Sequence, residues 1–263
     1  MATGDLERIA DFRLSFARRQ AAKLTEVPGG VAVRSPAFAE SHEHNQLVFY
    51  RSPGPAEIPA LAEKHLGDLP YRRVTLLDDP PWAAGMPAIT KSGYQHATEL
   101  IMTRACGRQA EPGPWTAAGP PAEPVTLAEL RPAVAAELRN WLPGVRDAVI
   151  DQLADCREAR WAGAAEVLFL AARAADGTIA SWADLYLDPA HGIAQFEDVA
   201  TAEGQLRRGH ADRVLDAALH HAAGYGLVFL LADLGFWPHT WYARRGFAPV
   251  GRSHVFTRAL AGG

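Results

Sequence analysis

The most informative part of the chain runs from Phe196-Glu197-Asp198-Val199-Ala200-Thr201 to Gln205-Leu206-Arg207-Arg208-Gly209-His210-Ala211. Its first residues predict a β-strand, and a helix is predicted after Gly209 because apolar residues recur at helical spacing at Val214, Leu215, Ala218 and Ala222. The first N–H groups of such a helix have no intrahelical partner and lie at the positive end of the helix dipole. With a glycine that allows close backbone approach and two arginines, the turn predicts an anion-binding loop.

The elements that follow this loop strengthen the interpretation. Leu227-Val228-Phe229-Leu230-Leu231 predicts a buried strand, and a short helix beginning at Pro238 leads into Trp241-Tyr242-Ala243-Arg244-Arg245-Gly246-Phe247. This order resembles the GNAT acyltransferase superfamily, whose coenzyme A loop has the pattern Gln/Arg-x-x-Gly-x-Gly/Ala and whose last helix carries a tyrosine ahead of Gly-Phe. Leu206 departs from the usual Gln or Arg, whereas Ala211 is an accepted variant.

The resemblance implies an α/β (α+β) protein with the GNAT fold, a mixed central sheet flanked by helices. It also implies acetyl-CoA as co-substrate, with its phosphates on the loop and its pantetheine arm beside the end of the Phe196 strand. The residues that it assigns to this cofactor are Val199, Ala200, Thr201, Arg207, Arg208, Gly209, His210 and Ala211.

Amine acylation requires a base for the amine proton and an acid for the departing thiolate. A phenol with its ordinary pKa of about 10 stays protonated at neutral pH, so Tyr242 is the predicted acid; its alternative role is packing beside Trp241. Glu197 and Asp198 compete as the base, and strand alternation predicts that they face opposite sides of the sheet. Alternation also groups Val199 and Thr201 with Glu197.

We favour Glu197 because Glu-Asp-Val-Ala resembles the Glu-Asp-Ile-Ala of the glucosamine-phosphate acetyltransferase branch, where the Glu lies near the acceptor amine. The structural alternative is a Glu197 that pairs with a neighbouring cation or caps the sheet. His239 is a further candidate for the base. Trp182, Asp184 and Tyr186 alternate along one predicted strand and either line the acceptor pocket or belong to an ordinary amphipathic strand.

The chain divides at a Pro/Gly-rich segment, which predicts a domain at 1–107, a linker at 108–124 and a GNAT acyltransferase domain at 125–263. The second domain begins with a capping-box signal at Thr126 and a helical stripe. A second stripe follows at Val145, Val149, Leu153 and Cys156, and then a three-stranded meander is predicted.

The first domain resembles the second in part of its sequence. Arg72–Asp79 and Gly93-Tyr94 parallel Leu227–Asp233 and Gly246-Phe247, which predicts a tandem arrangement with a degenerate GNAT-like N-terminal domain. Residues 52–57 contain prolines where a phosphate loop needs amide donors, so coenzyme A is expected only on the second domain.

Composition narrows the function classes. A net charge of −4, with both signs interspersed, predicts neither a nucleic-acid partner nor a membrane partner, and the N-terminus lacks an apolar signal region. A cytoplasmic location is expected. The pairs His42/His44 and His220/His221 lack a third spaced ligand, so no metal is expected, and Cys156 is predicted to be a buried thiol.

These observations predict an N-acetyltransferase that transfers an acetyl group from acetyl-CoA to a primary amine of a small molecule by direct attack in a ternary complex. Two alternatives remain open. One uses a larger acyl group or an acyl carrier protein that docks on a basic surface at Arg207, Arg208, Arg244 and Arg245. The other is a non-catalytic coenzyme A-binding regulatory module.

Overall fold

The computed structural model describes residues 3–82, 86–105 and 119–259. The helices are α1 (Thr3–Gln20), α2 (Ile58–Leu66), α3 (Met86–Lys91), α4 (Leu127–Trp141), α5 (Asp147–Asp155), α6 (His210–His221) and α7 (Pro238–Ala243). The strands are β1 (Lys23–Val27), β2 (Gly30–Arg34), β3 (Gln46–Phe49), β4 (Tyr71–Leu76), β5 (Gln95–Ala105), β6 (Glu123–Val125), β7 (Glu166–Arg173), β8 (Ile179–Asp188), β9 (Ile193–Thr201), β10 (Leu227–Asp233) and β11 (Ala248–Ala259). None of the helices within these ranges is long and apolar enough to cross a membrane.

The chain forms two compact units, each built from more than one segment. Unit 1 takes its described residues from Met1–Met102, Ala232–Trp241 and Pro249–Gly263, and unit 2 takes them from Thr103–Leu231 and Tyr242–Ala248. The domain limits that the sequence suggested, 1–107, 108–124 and 125–263, stay a prediction. Residues 106–118, most of the predicted linker, lie outside the described residues, whereas its last two residues begin β6.

Unit 1 contains the antiparallel strands β1, β2 and β3, followed by β4, which is parallel to β3. The C-terminal strand β11 pairs antiparallel with β4, from His254 opposite Leu76 to Ala259 opposite Tyr71. Helix α2 buries Ile58, Ala62 and Leu66 at i, i+4 and i+8 against the strands because these positions lie on one helical face. The core of the unit therefore includes residues from both ends of the sequence.

Unit 2 contains antiparallel β6, β7, β8 and β9, with β10 parallel to β9. Helix α4 begins with the predicted capping box, in which Thr126 and Glu129 accept hydrogen bonds from each other's backbone N–H groups. The apolar stripe predicted for the next helix does not coincide with the face that α5 buries. The residues that α5 buries are Ile150 and Ala154, and Val145 is exposed because α5 begins only at Asp147.

The internal repeat is visible in the strand arrangement. In each copy, three antiparallel strands lead through a helix to a parallel fourth strand, as β1–β2–β3–α2–β4 and as β7–β8–β9–α6–β10. Each copy continues with a short helix and a glycine in the left-handed region, Gly93 in one and Gly246 in the other. The similarity between Arg72–Asp79 and Leu227–Asp233 therefore reflects equivalent strands.

Candidate active site

Strands β9 and β10 pair only along their first halves. The registered pairs run from Ile193 opposite Leu227 to Phe196 opposite Leu230, whereas β9 itself continues to Thr201. The two strands therefore separate beyond Phe196. Glu197 is the first β9 residue past the last pair.

A β-bulge lies directly after Glu197. Asp184 pairs with Glu197 and Trp182 pairs with Ala200, so that Asp198 and Val199 together lie opposite one residue of β8. The backbone of Asp198 has a φ of +52°, in the left-handed region. An inserted residue shifts the alternation of side chains, and the sequence pattern gave no sign of it.

Because of the bulge, the side chains of β9 do not alternate between the two faces of the sheet as the sequence predicted. Residues that pair across antiparallel strands share a face, so Glu197 lies on the face of Asp184 and Trp182 together with Ala200, not with Thr201. Thr201 instead pairs with Ser181, and its hydroxyl donates to the Ser181 hydroxyl at 3.0 Å. The expectation that Glu197 and Asp198 face opposite sides was also wrong. Asp198 and Asp184 share the same two arginine partners.

These partners are Arg157 and Arg160, which sequence reasoning missed. They lie in a 3-10 segment, Cys156–Ala162, where residues three apart lie on the same side. Arg157 donates to Asp184 at 3.1 Å and to Asp198 at 3.0 Å, and Arg160 also donates to both carboxylates. Asp198 therefore forms ion pairs with both guanidinium groups.

Asp184, Trp182 and Tyr186 are core residues of unit 2. Asp184 is completely buried, and Trp182 and Tyr186 are at most 2 % exposed. Burial raises the pKa of Asp184, while the charges of Arg157 and Arg160 oppose that shift. The sequence left open whether these residues line an acceptor pocket or belong to an ordinary strand, and the structure places all three side chains in the interior.

Glu197 is half-buried and accepts a short hydrogen bond from the side-chain amide of Gln195, its neighbour on the same face. This amide is a neutral partner. It orients the Glu197 carboxylate along β9.

Tyr242 lies close to these carboxylates inside unit 2. Its side chain is buried, and its ring makes edge contacts with Phe196 and Phe247, with centroids 6.4 Å and 5.9 Å apart. Burial raises the pKa of Tyr242, and the negative charges of Glu197 and Asp198 raise it further. The phenol therefore keeps its proton throughout the physiological pH range, as a proton donor must.

The loop after β9 has the geometry of an anion site. It passes through a 3-10 turn at Glu203–Gln205 and reaches α6 through Arg207 with a φ of +61° and Gly209 with a φ of +79°. Left-handed residues in such a turn direct successive N–H groups toward one point. No side chain caps α6 at Gly209, and Leu206, Arg207 and Arg208 are exposed.

A buried arginine that the sequence did not indicate holds the first turn of α6. Arg213 donates to the main-chain oxygens of Pro120 at 2.8 Å and Arg173 at 2.7 Å, and makes a short contact with Nδ1 of His210. Burial lowers the pKa of His210, and the charges of Arg213 and Arg208 lower it further. The neutral imidazole accepts at Nδ1, so its proton is on Nε2.

The remaining predicted residues have ordinary surroundings. Within unit 2, Ala200 is buried and Val199, Thr201 and Ala211 are half-buried. His239 is half-buried in unit 1, and its Nδ1–H donates to the Phe236 carbonyl at 2.5 Å. Cys156 is a buried free thiol, and Cys106 lies outside the described residues.

The histidine pairs also have structural partners. His42 packs against the ring of Tyr71, His44 is hydrogen-bonded to Ser41, and His220 packs against His221. In the part of the chain that the structure describes, no group of three or more His, Cys, Asp or Glu residues is arranged to hold a metal ion.

The sequence matches no protein-family model and no curated protein. Solved structures do match it. A GCN5-related N-acetyltransferase from Kribbella flavida superimposes with a TM-score of 0.64 at 18% identity, over 100% of this chain and 98% of that chain. The chain has the GNAT fold.

Two further structures with the GNAT fold cover nearly the whole chain. A GCN5-related N-acetyltransferase from Sphaerobacter thermophilus has a TM-score of 0.55 at 14% identity, over 98% of this chain and 93% of that chain. A tandem GNAT protein from the clavulanic acid biosynthesis pathway has a TM-score of 0.51 at 16% identity, over 96% and 94%. At these identities the likeness is one of fold, and it confirms the GNAT fold expected from the loop and from Tyr242.

Proposed function

We propose that the protein is an N-acetyltransferase that transfers an acetyl group from acetyl-CoA to a primary amine of a small molecule, directly and in a ternary complex. The observation that carries this proposal is the separation of β9 from β10 after Phe196, with the bulge at Asp198 beside it. The uncapped N-terminus of α6 and the hydroxyl-bearing ring of Tyr242 belong to the same unit. No other part of the described chain combines these features.

The residues of the loop fit the phosphates of coenzyme A. The first N–H groups of α6 and those around left-handed Arg207 and Gly209 supply backbone donors, and the exposed side chains of Arg207 and Arg208 supply charge. His210 offers an Nε2–H donor without adding a positive charge, because its Nδ1 is occupied by Arg213. Leu206 contributes through its backbone, which compensates for the missing Gln or Arg side chain.

Acetyl-CoA supplies an acyl group activated as a thioester. Glu197 accepts the proton that the attacking amine loses, either directly or through a water molecule. The amine nitrogen first forms a bond to the carbonyl carbon of the acetyl group. The carbon–sulfur bond then breaks, and Tyr242 donates its phenolic proton to the thiolate sulfur. One proton is taken up and one is released, so the pair returns to its starting charge after exchange with solvent.

The first test is the thermal midpoint with and without excess acetyl-CoA. Saturation at about one hundred times the dissociation constant stabilises a protein by about 2.7 kcal/mol, which is several degrees for a chain of this size. We expect Arg208→Glu to lose most of that shift. Arg252→Glu, an equal change of charge at an exposed arginine outside the loop, is the matched control and should keep it.

A larger acyl donor or an acyl carrier protein is the second candidate, favoured by the exposed guanidinium groups of Arg207, Arg208 and Arg244. Arg245 does not belong to that surface, because it forms an ion pair with Asp212. The thermal midpoint distinguishes these donors. If it does not shift with acetyl-CoA but shifts with a longer acyl-CoA or with an acylated carrier protein, that compound is the acyl donor in place of acetyl-CoA. A shift without any thiol release over a panel of amines would support the non-catalytic module.

A further inference from the structure

Unit 1 contains a hydrogen-bonded row of three side chains that the acyl-transfer chemistry above does not use. Nε2 of His254 lies 2.8 Å from Oδ1 of Asp79, and Nδ1 of His254 lies 3.0 Å from Nε2 of His96. Asp79 follows β4, His96 is on β5 and His254 is on β11. We call this row the Asp79–His254–His96 relay.

The hydrogen-bond chemistry fixes the tautomers of the relay. A carboxylate only accepts, so Nε2 of His254 carries the proton that is donated to Asp79. In neutral His254, Nδ1 is then an acceptor, and Nε2 of His96 must carry the proton that lies between the two rings. It follows that the lone pair of neutral His96 is on Nδ1, the nitrogen that is not used within the relay.

The relay is rigid at its inner end and accessible at its outer end. His254 is 3 % exposed and has hydrogen-bond partners at both nitrogens, whereas His96 is an exposed residue. The ring of Phe256 stacks on the His96 ring with a centroid distance of 4.7 Å and an interplanar angle of 13°. The hydroxyl of Thr98 lies 3.5 Å from Nδ1 of His254, on the same side.

The surroundings of His96 favour the neutral form of its ring. Partial burial lowers the pKa of His96, and His254 lowers it further, so His96 is neutral at pH 7 and its lone pair is available. Asp78 precedes Asp79 and interacts electrostatically with His254. On the other face of the strands, Glu99 is held by Ser253 and Arg13 at 2.8 Å and 3.3 Å, away from the relay.

We propose that the Asp79–His254–His96 relay is a general-base site in unit 1 that activates a hydroxyl nucleophile, water or an alcohol. In the step, the O–H bond breaks and its proton moves to Nδ1 of His96. The Nε2 proton of His96 moves to Nδ1 of His254, and the positive charge then lies on His254 beside the carboxylate of Asp79. The freed oxygen forms a bond to the carbonyl carbon of an ester, and the carbonyl π bond opens to an oxyanion. When the oxyanion collapses, the bond from that carbon to the alkoxy oxygen breaks. The leaving alkoxide takes the proton from Nδ1 of His96 while His254 returns its proton to Nε2 of His96, which restores the relay.

The test measures the modification of each histidine by diethyl pyrocarbonate as a function of pH, with peptide mass spectrometry as the readout, and the hydrolysis of p-nitrophenyl acetate in parallel. We expect His96 to react at least about tenfold faster than the exposed histidines His220 and His221. Asp79→Asn keeps the hydrogen bond to His254 but removes the charge. The rate of His96 modification and the rate of ester hydrolysis should both fall about tenfold, the equivalent of one pKa unit.

Asp11→Asn is the matched control, because it removes an equal charge at an exposed residue of α1 outside the relay, and both rates should stay near those of the wild type. His96→Gln should abolish the ester hydrolysis that Asp79→Asn weakens. Asp79 is 57% exposed, so its replacement tests the relay even if a substitution of buried His254 prevents folding. A His96 that reacts at the rate of His220 and His221, with no response to Asp79→Asn, would overturn the proposal.

Discussion

At the scale of single residues, Tyr242 combines burial with two nearby negative charges. Both effects raise its pKa, so the phenol holds its proton at neutral pH and is available as a proton donor. We expect Tyr242→Phe to lower kcat by about 10²- to 10⁴-fold while the thermal shift with acetyl-CoA is kept, because the ring contacts remain. Steady-state thiol release measures the first effect.

Tyr225→Phe is the control for Tyr242→Phe. Tyr225 is another tyrosine of unit 2 with a raised pKa, caused by burial and by Glu166 and Asp188, and its hydroxyl lies outside the proposed site. Its replacement should leave kcat within about twofold. If Tyr242→Phe behaves like Tyr225→Phe, another group supplies the proton to the thiolate.

Sequence reasoning identified candidate residues with a local signal but not those defined by distant contacts. Tyr242 could be proposed because it precedes Gly-Phe, and Gly209 because it ends an arginine-rich turn. Arg157, Arg160 and Arg213 could not, since arginine is ordinarily a surface residue and nothing in the neighbouring sequence marks its burial. Their positions follow from carboxylates and carbonyl oxygens far away in the chain.

At the scale of elements, the junction of β9 and α6 depends on one left-handed glycine. A Cβ at Gly209 would meet nothing within 4 Å, yet its φ is +79°, so an alanine there is strained only by its backbone. That strain is about 1–2 kcal/mol. We expect Gly209→Ala to weaken binding of acetyl-CoA by about tenfold or more, measured by calorimetry, because the N–H groups of the loop lose their direction.

Gly204→Ala is a close control for this change. Gly204 lies in the same loop, and a Cβ there would also meet nothing within 4 Å, but its φ is not positive. Its replacement should leave the affinity unchanged within about twofold. Equal affinities for the two variants would show that the conformation of Gly209 does not matter for binding.

Helices and strands with a continuous sequence pattern were predictable, whereas a β-bulge, in which one extra residue is inserted into a strand, was not. The capping box at Thr126 and the helix after Gly209 are present as expected. The bulge at Asp198 was missed because Phe196–Thr201 is a regular strand in its composition, and the extra residue is evident only against β8. This one insertion reversed the predicted faces of Asp198 and Thr201.

At the scale of the whole molecule, His42 links folding to pH. Burial lowers its pKa to about 4, and the charge of Arg73 adds to this effect, whereas an unfolded histidine has a pKa of about 6.5. Between these values the unfolded state binds more protons, so the stability that His42 permits is complete above pH 6.5 and is lost as the pH falls toward 4.

We therefore expect the thermal midpoint of the protein to fall from pH 6.5 to pH 4 more steeply than that of His42→Phe, which keeps an aromatic ring against Tyr71 without a titrating group. His220→Phe changes an exposed histidine and should follow the wild-type curve. Parallel curves for the wild type and His42→Phe would remove His42 as a source of the pH dependence.

The repeated strand order could be inferred from Arg72–Asp79 and Leu227–Asp233, but the placement of the last strand could not. Strand pairing over such a distance in sequence leaves no local signal, and β11 has the composition of a strand that suits either copy. In the structure, β11 pairs with β4, so the C-terminal residues complete the sheet of unit 1.

This pairing has a consequence for synthesis on the ribosome. A protein emerges from its N-terminus, and domains made of contiguous sequence fold while the rest is still being translated. β4 of unit 1 must wait for β11, which is synthesised much later. Until β11 has been synthesised, that edge of β4 is open to other strands, which makes the nascent chain a natural client for chaperones.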